Sequence, residues 1–255
     1  MKDKRIFIKI LTALGVLAFW LAVWLLLSLS VNSSFLFPSP TDTLSALGRL
    51  ASDVEFFAIA GITLGRIVLG VLVSFIIGIA LAVITEASGI AKALLSPALT
   101  VVKSTPVASF IILALLWIDR NLLPLFITSL IVIPVVWSNV SEGIRSVDKG
   151  LLEMTKVYRF SRAKRLRSLY VPTVAPYFIA ACKSTLGLAW KAGISAEILC
   201  TPKRAIGTEL YFAKTYLETS ELFAWTLVII VLSIVIEKLF VFVVGKLGSK
   251  LRVLR

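Results

Sequence analysis

The stretch ILTALGVLAFWLAVWLLLSLSV, residues 10–31, runs for 22 positions without a charged side chain. An α-helix rises about 1.5 Å per residue and needs about 20 apolar residues to cross the hydrocarbon core of a bilayer. Four basic residues precede the stretch and no small-x-small cleavage site follows it, which favours a retained span over a secretory signal. The sequence therefore predicts a membrane-spanning helix here.

Five further apolar stretches follow, separated by short polar segments. Hydrophobic residues make up 58% of the 255 positions and charged residues 16%, with a mean hydropathy of +0.97. A soluble domain carries about a quarter charged residues, so this composition excludes one and predicts an all-α, polytopic membrane protein with a single domain, 1–255. The predicted spans are residues 10–31, 56–85, 93–118, 122–140, 171–196 and 222–244. The third is the least regular, because Pro97, Lys103 and Pro106 interrupt it.

The charged residues indicate how the spans are oriented. Lys and Arg outnumber Asp and Glu by 27 to 14, which gives a net charge of +13. With the N-terminus inside, 17 basic residues fall in segments on the inner side, five in segments on the outer side and five within the predicted spans. Basic residues accumulate on the cytoplasmic side of membrane proteins, so both termini are predicted to be cytoplasmic. The positive charge is thereby explained as a topology signal, and no nucleic-acid partner is expected.

The composition also removes most enzyme classes. Without histidine, the chain has no Ser/His or Cys/His nucleophile pair and no imidazole metal ligand. Cys182 and Cys200 are interpreted as small core residues rather than a disulfide or metal pair. The nearest string to a phosphate-binding loop, residues 240–246, has Phe240 where the first glycine belongs and is followed by Leu247 instead of Ser or Thr. No catalytic residue, metal site or cofactor is predicted, and the chain is not expected to hydrolyse ATP itself.

The longest predicted cytoplasmic segment, residues 142–170, has the pattern of two amphipathic helices. Asp148 is a candidate N-cap for the first helix and Ser161 for the second. The apolar positions recur at helical spacing: Leu151, Leu152, Thr155 and Tyr158 in the first helix, and Ala163, Leu166 and Leu169 in the second. From periodicity alone, a basic hairpin lying on anionic lipid is an equally good interpretation.

Residues 153–172 resemble the Glu-Ala-Ala loop of permease subunits in binding-protein-dependent ABC importers. That motif reads Glu-Ala-Ala, three residues, Gly, then a basic amphipathic stretch ending in Pro. Here Glu153 and Pro172 stand at the matching separation of 19 positions. Met154 and Thr155 replace both alanines, and Arg159 stands at the usual glycine position, where a left-handed turn would join two helices.

Other segments are similar to the nitrate, sulfonate and taurine branch of that family. They are Ser104–Trp117, Gly187–Lys191 with Ala196 and Glu197, and Glu218–Ala224. The similarity covers about residues 56–240. It implies a type I ABC importer permease-like bundle, located in the inner membrane of a bacterial or archaeal cell.

The resemblance implies both a function and a set of partners. The chain would form the pathway for a small, anionic solute such as nitrate, a sulfonate, taurine or a vitamin precursor. The expected partners are a cytoplasmic ATPase dimer that holds ATP and Mg, an extracytoplasmic solute-binding protein, a second permease copy and the lipid bilayer. An ion-coupled secondary transporter is the alternative; it would need inverted repeats, and residues 10–118 and 122–244 show no convincing repeat.

The residues expected to couple the chain to the ATPase follow from the motif. We expect Leu151, Leu152 and Tyr158 to brace the first loop helix while Glu153, Met154 and Lys156 meet the ATPase. The complete set of coupling candidates is Glu153, Met154, Thr155, Lys156, Tyr158, Arg159 and Pro172.

Charged residues inside the predicted spans are the other candidates, because each is costly in lipid unless paired or hydrated. Arg66 precedes 19 uncharged residues and Glu197 lies 25 positions after Pro172, so an ion pair near the outer face is allowed, although each could also reach the interface independently. Candidates for a polar pathway are Lys103, Ser104, Lys183, Ser184, Lys191 and Ser195. Snorkelling of the lysines, or their pairing with acidic side chains, is the alternative.

Overall fold

A computed structural model describes residues 2–252, and the described part of the chain contains helices and turns but no strand. Eleven α-helices are formed. They are α1 (Lys2–Val31), α2 (Pro40–Ala51), α3 (Val54–Ala87), α4 (Gly89–Ser104), α5 (Val107–Ala114), α6 (Leu123–Arg145), α7 (Lys149–Val157), α8 (Arg162–Arg165), α9 (Val171–Cys200), α10 (Ile206–Thr215) and α11 (Thr219–Arg252), with a π-helical turn at Leu166–Tyr170 between α8 and α9.

Within residues 2–252, four helices are long and apolar enough to cross a membrane. These segments are Leu11–Val31, Val54–Ala87, Leu123–Arg145 and Thr219–Phe240. Helix α9 is 30 residues long and covers the predicted fifth span, but Lys183, Lys191 and Glu197 lower its apolar character. The predicted all-α membrane class is confirmed, and each predicted span coincides with one helix or, for the third, with a pair of helices.

The predicted third span, residues 93–118, is not one straight helix. Helices α4 and α5 meet at an angle of 105°, so they form a broken span or a re-entrant loop. Thr105, between them, has an extended backbone (φ −82°, ψ 135°), because the ring of Pro106 disfavours a helical conformation in the residue before it. The prolines predicted an irregular span, but not so sharp a turn.

The core is formed where α3, α6 and α9 pack against one another. Small residues allow their backbones to approach closely. A Cβ atom on Gly78 would lie 2.8 Å from Cβ of Val136, and one on Gly193 would lie 2.6 Å from Cγ1 of Ile67. The buried side chains at this junction include Ile67, Val71, Val132, Val136, Ala189 and Ile194. This tight junction holds the loop between α6 and α9 at one end of the bundle.

Candidate functional site

Helix α7 is the first helix of the predicted coupling loop, and both of its ends are capped. Oδ1 of Asp148 accepts a hydrogen bond from the backbone N–H of Leu151 at 2.9 Å. At the other end, the N–H of Phe160 donates to the carbonyl of Thr155 at 2.9 Å, and the N–H of Arg159 donates to that of Lys156 at 3.0 Å. This pair of bonds is a Schellman motif. The nine-residue helix is therefore closed at both ends by its own chain.

Arg159 occupies the left-handed position of that motif. Its φ is +50°, a conformation that glycine adopts freely and that is unfavourable for other residues by about 1–2 kcal/mol. Glycine is the usual residue at this position of the motif. The structure shows that the turn forms with arginine in place, because the two backbone hydrogen bonds hold it.

Replacing Arg159 with glycine is expected to stabilise the loop by about 1 kcal/mol, because glycine removes the steric penalty at positive φ. Thermal unfolding of the purified protein in detergent measures the change. Lys156→Gly, inside α7, is the matched control and should destabilise by about 1 kcal/mol. Equal destabilisation by both substitutions would contradict the assigned role of Arg159.

The side chains of α7 divide into a buried side and an exposed side. Thr155 is buried and Leu152 half-buried, so they form the inner side, whereas Leu151 and Tyr158 are 46% and 70% exposed. Of the three residues expected to brace the first loop helix, Leu152 is half-buried, whereas Leu151 and Tyr158 are exposed. They join Met154 and Val157, 41% and 78% exposed, in an apolar surface on the outside of α7.

The other coupling candidates lie on or beside this helix. Glu153 and Lys156 are exposed on α7, and Arg159 is exposed at the turn that follows. The second predicted loop helix is not separate: α8 continues through the π-helical turn directly into α9, with half-buried Pro172 in the first turn of α9. Ser161 caps α8 as predicted, by accepting a hydrogen bond from the N–H of Lys164. The loop is thus one short helix joined by a tight turn to an N-terminal extension of α9.

An ion-pair network that the sequence analysis missed fixes the end of α6 just before α7. Oε1 of Glu86, at the end of α3, lies 3.1 Å from Nζ of Lys92 and 3.3 Å from Nη1 of Arg145. Arg145 is the last residue of α6 and also contacts Glu142 at 2.8 Å. The network therefore links α3, α4 and α6. Lys92 follows Glu86 by six positions around a turn, a spacing that no single-helix rule would identify.

At the opposite end of the bundle, Arg66 and Glu197 lie together. Nη1 of Arg66 is 3.6 Å from Oε1 of Glu197, whose side chain is fully buried. Arg66 also donates hydrogen bonds to the backbone carbonyls of Lys203 at 2.9 Å and Arg204 at 3.4 Å. A buried carboxylate in an apolar protein requires such partners.

Glu197 also caps the N-terminus of α10. Oε2 of Glu197 accepts from the N–H of Gly207 at 3.2 Å and from Oγ1 of Thr63 at 3.0 Å, while Oγ1 of Thr63 accepts from the N–H of Ile206 at 3.0 Å. The N-cap residue of α10, Ala205, has no side chain able to do this. Two other helices, α3 and α9, therefore supply the cap, and no residue next to α10 in the sequence signals it.

The pathway candidates on α9 share one exposed side of that helix. Lys183, Ser184, Lys191 and Ser195 are all exposed, together with Gly187, whose Cβ position meets nothing within 4 Å. The positions 184, 187, 191 and 195 recur at helical spacing, and we call them, with Lys183, the α9 stripe. Lys103 and Ser104 are exposed at the end of α4, next to its break.

Acidic residues cluster beside α10. Burial raises the pKa of Glu209 above its usual value, and the nearby carboxylates of Glu221 and Glu55 raise it further. Glu55 is itself paired with Arg204, whose Nε lies 2.8 Å from Oε1 of Glu55. Lowering the pH toward the raised pKa of Glu209 therefore relieves repulsion at this end of the bundle.

Residues 74–253 match the protein family described as binding-protein-dependent transport system inner membrane component. The chain belongs to this family. The match covers the packed helices α6 and α9, the whole coupling loop and the C-terminal part of α3. The resemblance that Glu153 and Pro172 indicated is thereby confirmed.

Similar transport permeases are named for three different solutes. A Bacillus subtilis protein named as an aliphatic sulfonates transport permease, SsuC, is 24% identical over 206 residues, which cover 80% of this chain and 74% of that protein. The nitrate import permease NrtB of Synechococcus elongatus is 24% identical over 72% of this chain and 69% of its own length. The bicarbonate transport permease CmpB of Synechocystis is 26% identical, but the match spans 57% of this chain and about half, 52%, of that relative.

The fold is shared with a solved importer. A crystal structure of a bacterial ABC transporter involved in the import of the acidic polysaccharide alginate aligns over 97% of this chain and 96% of its own, with a TM-score of 0.59 and 17% identity. At this identity the likeness concerns the fold alone. It agrees with the predicted ABC permease bundle.

Proposed function

We propose that this family member couples ATP hydrolysis in a separate ATPase to solute import, and that α7 is its docking helix. The observation that supports this most directly is the apolar surface of Leu151, Met154, Val157 and Tyr158 on a capped, exposed helix at the end of the bundle. Exposed apolar patches of this kind are typical of protein contacts. Charged Glu153 and Lys156 flank it, as at the rim of an interface.

The α9 stripe is proposed to line the solute pathway. Lys183 and Lys191 lie on a spanning helix and are exposed on the isolated chain, and a lysine is costly in hydrocarbon. A second permease copy facing the stripe would enclose these lysines in a hydrated channel. Sulfonates, nitrate and bicarbonate, the solutes in the relatives' names, are all small anions, and two lysines would attract such a solute.

We assign ATP binding and solute delivery to partner proteins. ATP and Mg would be bound by the cytoplasmic ATPase dimer, since the sequence has no phosphate-binding loop of its own. An extracytoplasmic binding protein would deliver the solute at the end formed by α2 and α10. The basic loop, with both termini, would lie in the cytoplasm.

Glu153→Lys is expected to uncouple the transporter without unfolding it, because Glu153 is exposed and makes no ion pair in the described residues. The permease is co-expressed with its ATPase and binding protein and reconstituted in vesicles. Solute uptake should fall at least tenfold, and less ATPase should remain bound to the purified permease. The control is Glu218→Lys, the same charge change at the opposite end, which should retain the ATPase.

Two outcomes would overturn the proposal. If Glu153→Lys supports full uptake and binds the ATPase normally, α7 is not the docking helix. If uptake by the unchanged protein needs an ion gradient and continues without nucleotide, the chain is a secondary transporter.

A further inference from the structure

The helix that leads from α8 into α9 contains the π-helical turn Leu166–Tyr170. The N–H of Val171 donates to the carbonyl of Leu166, five positions earlier, whereas an α-helix would use the carbonyl of Arg167, four positions earlier. Such turns are rare and recur at functional sites. Leu169 is the one buried side chain of the turn, so the turn is held to its neighbours mainly at a single point.

Beyond this turn, α9 is packed tightly against α6. A Cβ atom on Gly143 would lie 3.1 Å from Cα of Val174 and 3.2 Å from Cβ of Tyr177, which leaves no room between the two backbones. The end of α6 is in turn joined to α3 by the ion pair between Arg145 and Glu86. From Val174 onward, α9 is therefore fixed to α3 and α6.

On the loop side of that contact, the same helix faces a cavity of about 510 Å³. Leu166 and Tyr170 line one wall, and Val83 of α3 and Ile144 of α6 line the other. The cavity is partly open, with Leu166 58% exposed and Val83 53% exposed. Protein interiors keep few voids larger than a water molecule, because the lining of a void loses packing contacts. Moving the two walls together would restore such contacts.

The wall formed by the π-helical turn is the one that is loosely held. In the described part of the chain, α7 and α8 have few close contacts with the spanning helices. Nε of Arg165, directly before the turn, is buried and has no hydrogen-bond partner among the described residues, which is an unfavourable arrangement. The junction therefore joins a fixed segment, α9 from Val174 onward, to a loosely packed one, α7 and α8.

We propose, on the basis of the docking role proposed for α7, that the π-helical turn is a hinge. Movement of α7 with the ATPase would bring Leu166 and Tyr170 across the cavity, against α3 and α6. In this closed arrangement the N–H of Val171 would donate to the carbonyl of Arg167, so that the turn becomes α-helical. The hinge would bend the chain just before the contact at Val174 and carry the movement of the loop to α3 and α6 as well as to α9.

Disulfide cross-linking in the reconstituted transporter, with its ATPase and binding protein, tests this closure. Cys182 and Cys200 are buried, so cysteines added at exposed positions react selectively. The pair Val83→Cys and Leu166→Cys should cross-link about tenfold faster with a non-hydrolysable ATP analogue than without nucleotide, since a disulfide requires Cα atoms within about 7 Å. The disulfide should stop uptake until it is reduced.

The control pair is Val83→Cys and Ser168→Cys. Ser168 is exposed on the same turn but does not line the cavity. This pair should cross-link slowly both with and without the analogue, because closure brings Leu166 rather than Ser168 toward α3.

A cavity-filling variant tests whether the hinge needs this space. Val83→Trp should lower uptake about tenfold, because the ring blocks closure, while the ATPase stays bound and the unfolding temperature stays near that of the unchanged protein. Ile84→Trp is the matched control: Ile84 is also exposed on α3 but does not line the cavity, so this variant should transport normally.

Cross-linking that is not faster with the analogue would overturn the hinge. Normal uptake by Val83→Trp, or equal losses in Val83→Trp and Ile84→Trp, would overturn it too. These results differ from a failure of the proposed function: if Glu153→Lys retains the ATPase, the docking role of α7 is wrong, whereas a constant cross-linking rate in a transporter that binds its ATPase through α7 contradicts the hinge alone.

Discussion

Gly207→Ala is expected to lower the free energy of unfolding by about 3 kcal/mol. An added Cβ atom would lie 2.4 Å from Cβ of Glu197 and 2.6 Å from the backbone nitrogen of Ile198. Neither of these atoms belongs to the end of a flexible side chain, so α10 must move away from α9. That movement would break the hydrogen bond from the N–H of Gly207 and leave the buried carboxylate of Glu197 with fewer partners.

Unfolding of the purified protein by heat and by denaturant measures this loss. Gly65→Ala is the matched control: Gly65 lies inside α3, and its Cβ position meets nothing within 4 Å. Alanine is the better helix former, so the control should be neutral or stabilising by up to about 1 kcal/mol. If the two variants unfolded alike, the close approach of α10 to α9 would not be important for stability.

Lys191→Gln is expected to slow anion uptake about tenfold, and Lys191→Glu is expected to abolish it. In a narrow hydrated pathway, one cation close to an anion contributes about 1–4 kcal/mol. Uptake at equal expression is measured together with ATPase binding, which should not change because Lys191 lies far along α9 from the loop. Lys238→Gln, the same loss of charge at an exposed position on α11 outside the α9 stripe, is the control and should transport normally.

Normal uptake by both Lys191 variants would contradict a role in the pathway. The lysine would then be a packing or snorkelling residue, the alternative that the sequence left open. Slower uptake with a parallel loss of unfolding temperature would also count against the pathway, because the effect would then be structural.

Features set by neighbouring residues were predicted well from the sequence. The caps at Asp148 and Ser161 depend on side chains three positions from their partners, and the structure forms both. The spans were predicted from the length of each apolar stretch and from its low content of charged residues. Thr155, one of the positions at helical spacing and also a coupling candidate, is buried in α7.

Features that depend on other helices were missed. Leu151 and Tyr158 are apolar at helical spacing, but periodicity does not distinguish a surface that packs on its own chain from one left for a partner. The network around Glu86 and the cap that Thr63 and Glu197 give α10 join residues from different elements. The angle between α4 and α5 is likewise set by packing, whereas Pro106 fixes only where the helix ends.

The break between α4 and α5 determines which surroundings suit the backbone at this point of the chain. Hydroxyls of Ser104 and Thr105 both donate to the carbonyl of Val101, at 3.1 and 2.8 Å, and proline has no N–H to continue the ladder. Irregular backbone at membrane depth is stable only against protein or water. We therefore expect protein or water, rather than lipid tails, to contact the backbone between α4 and α5.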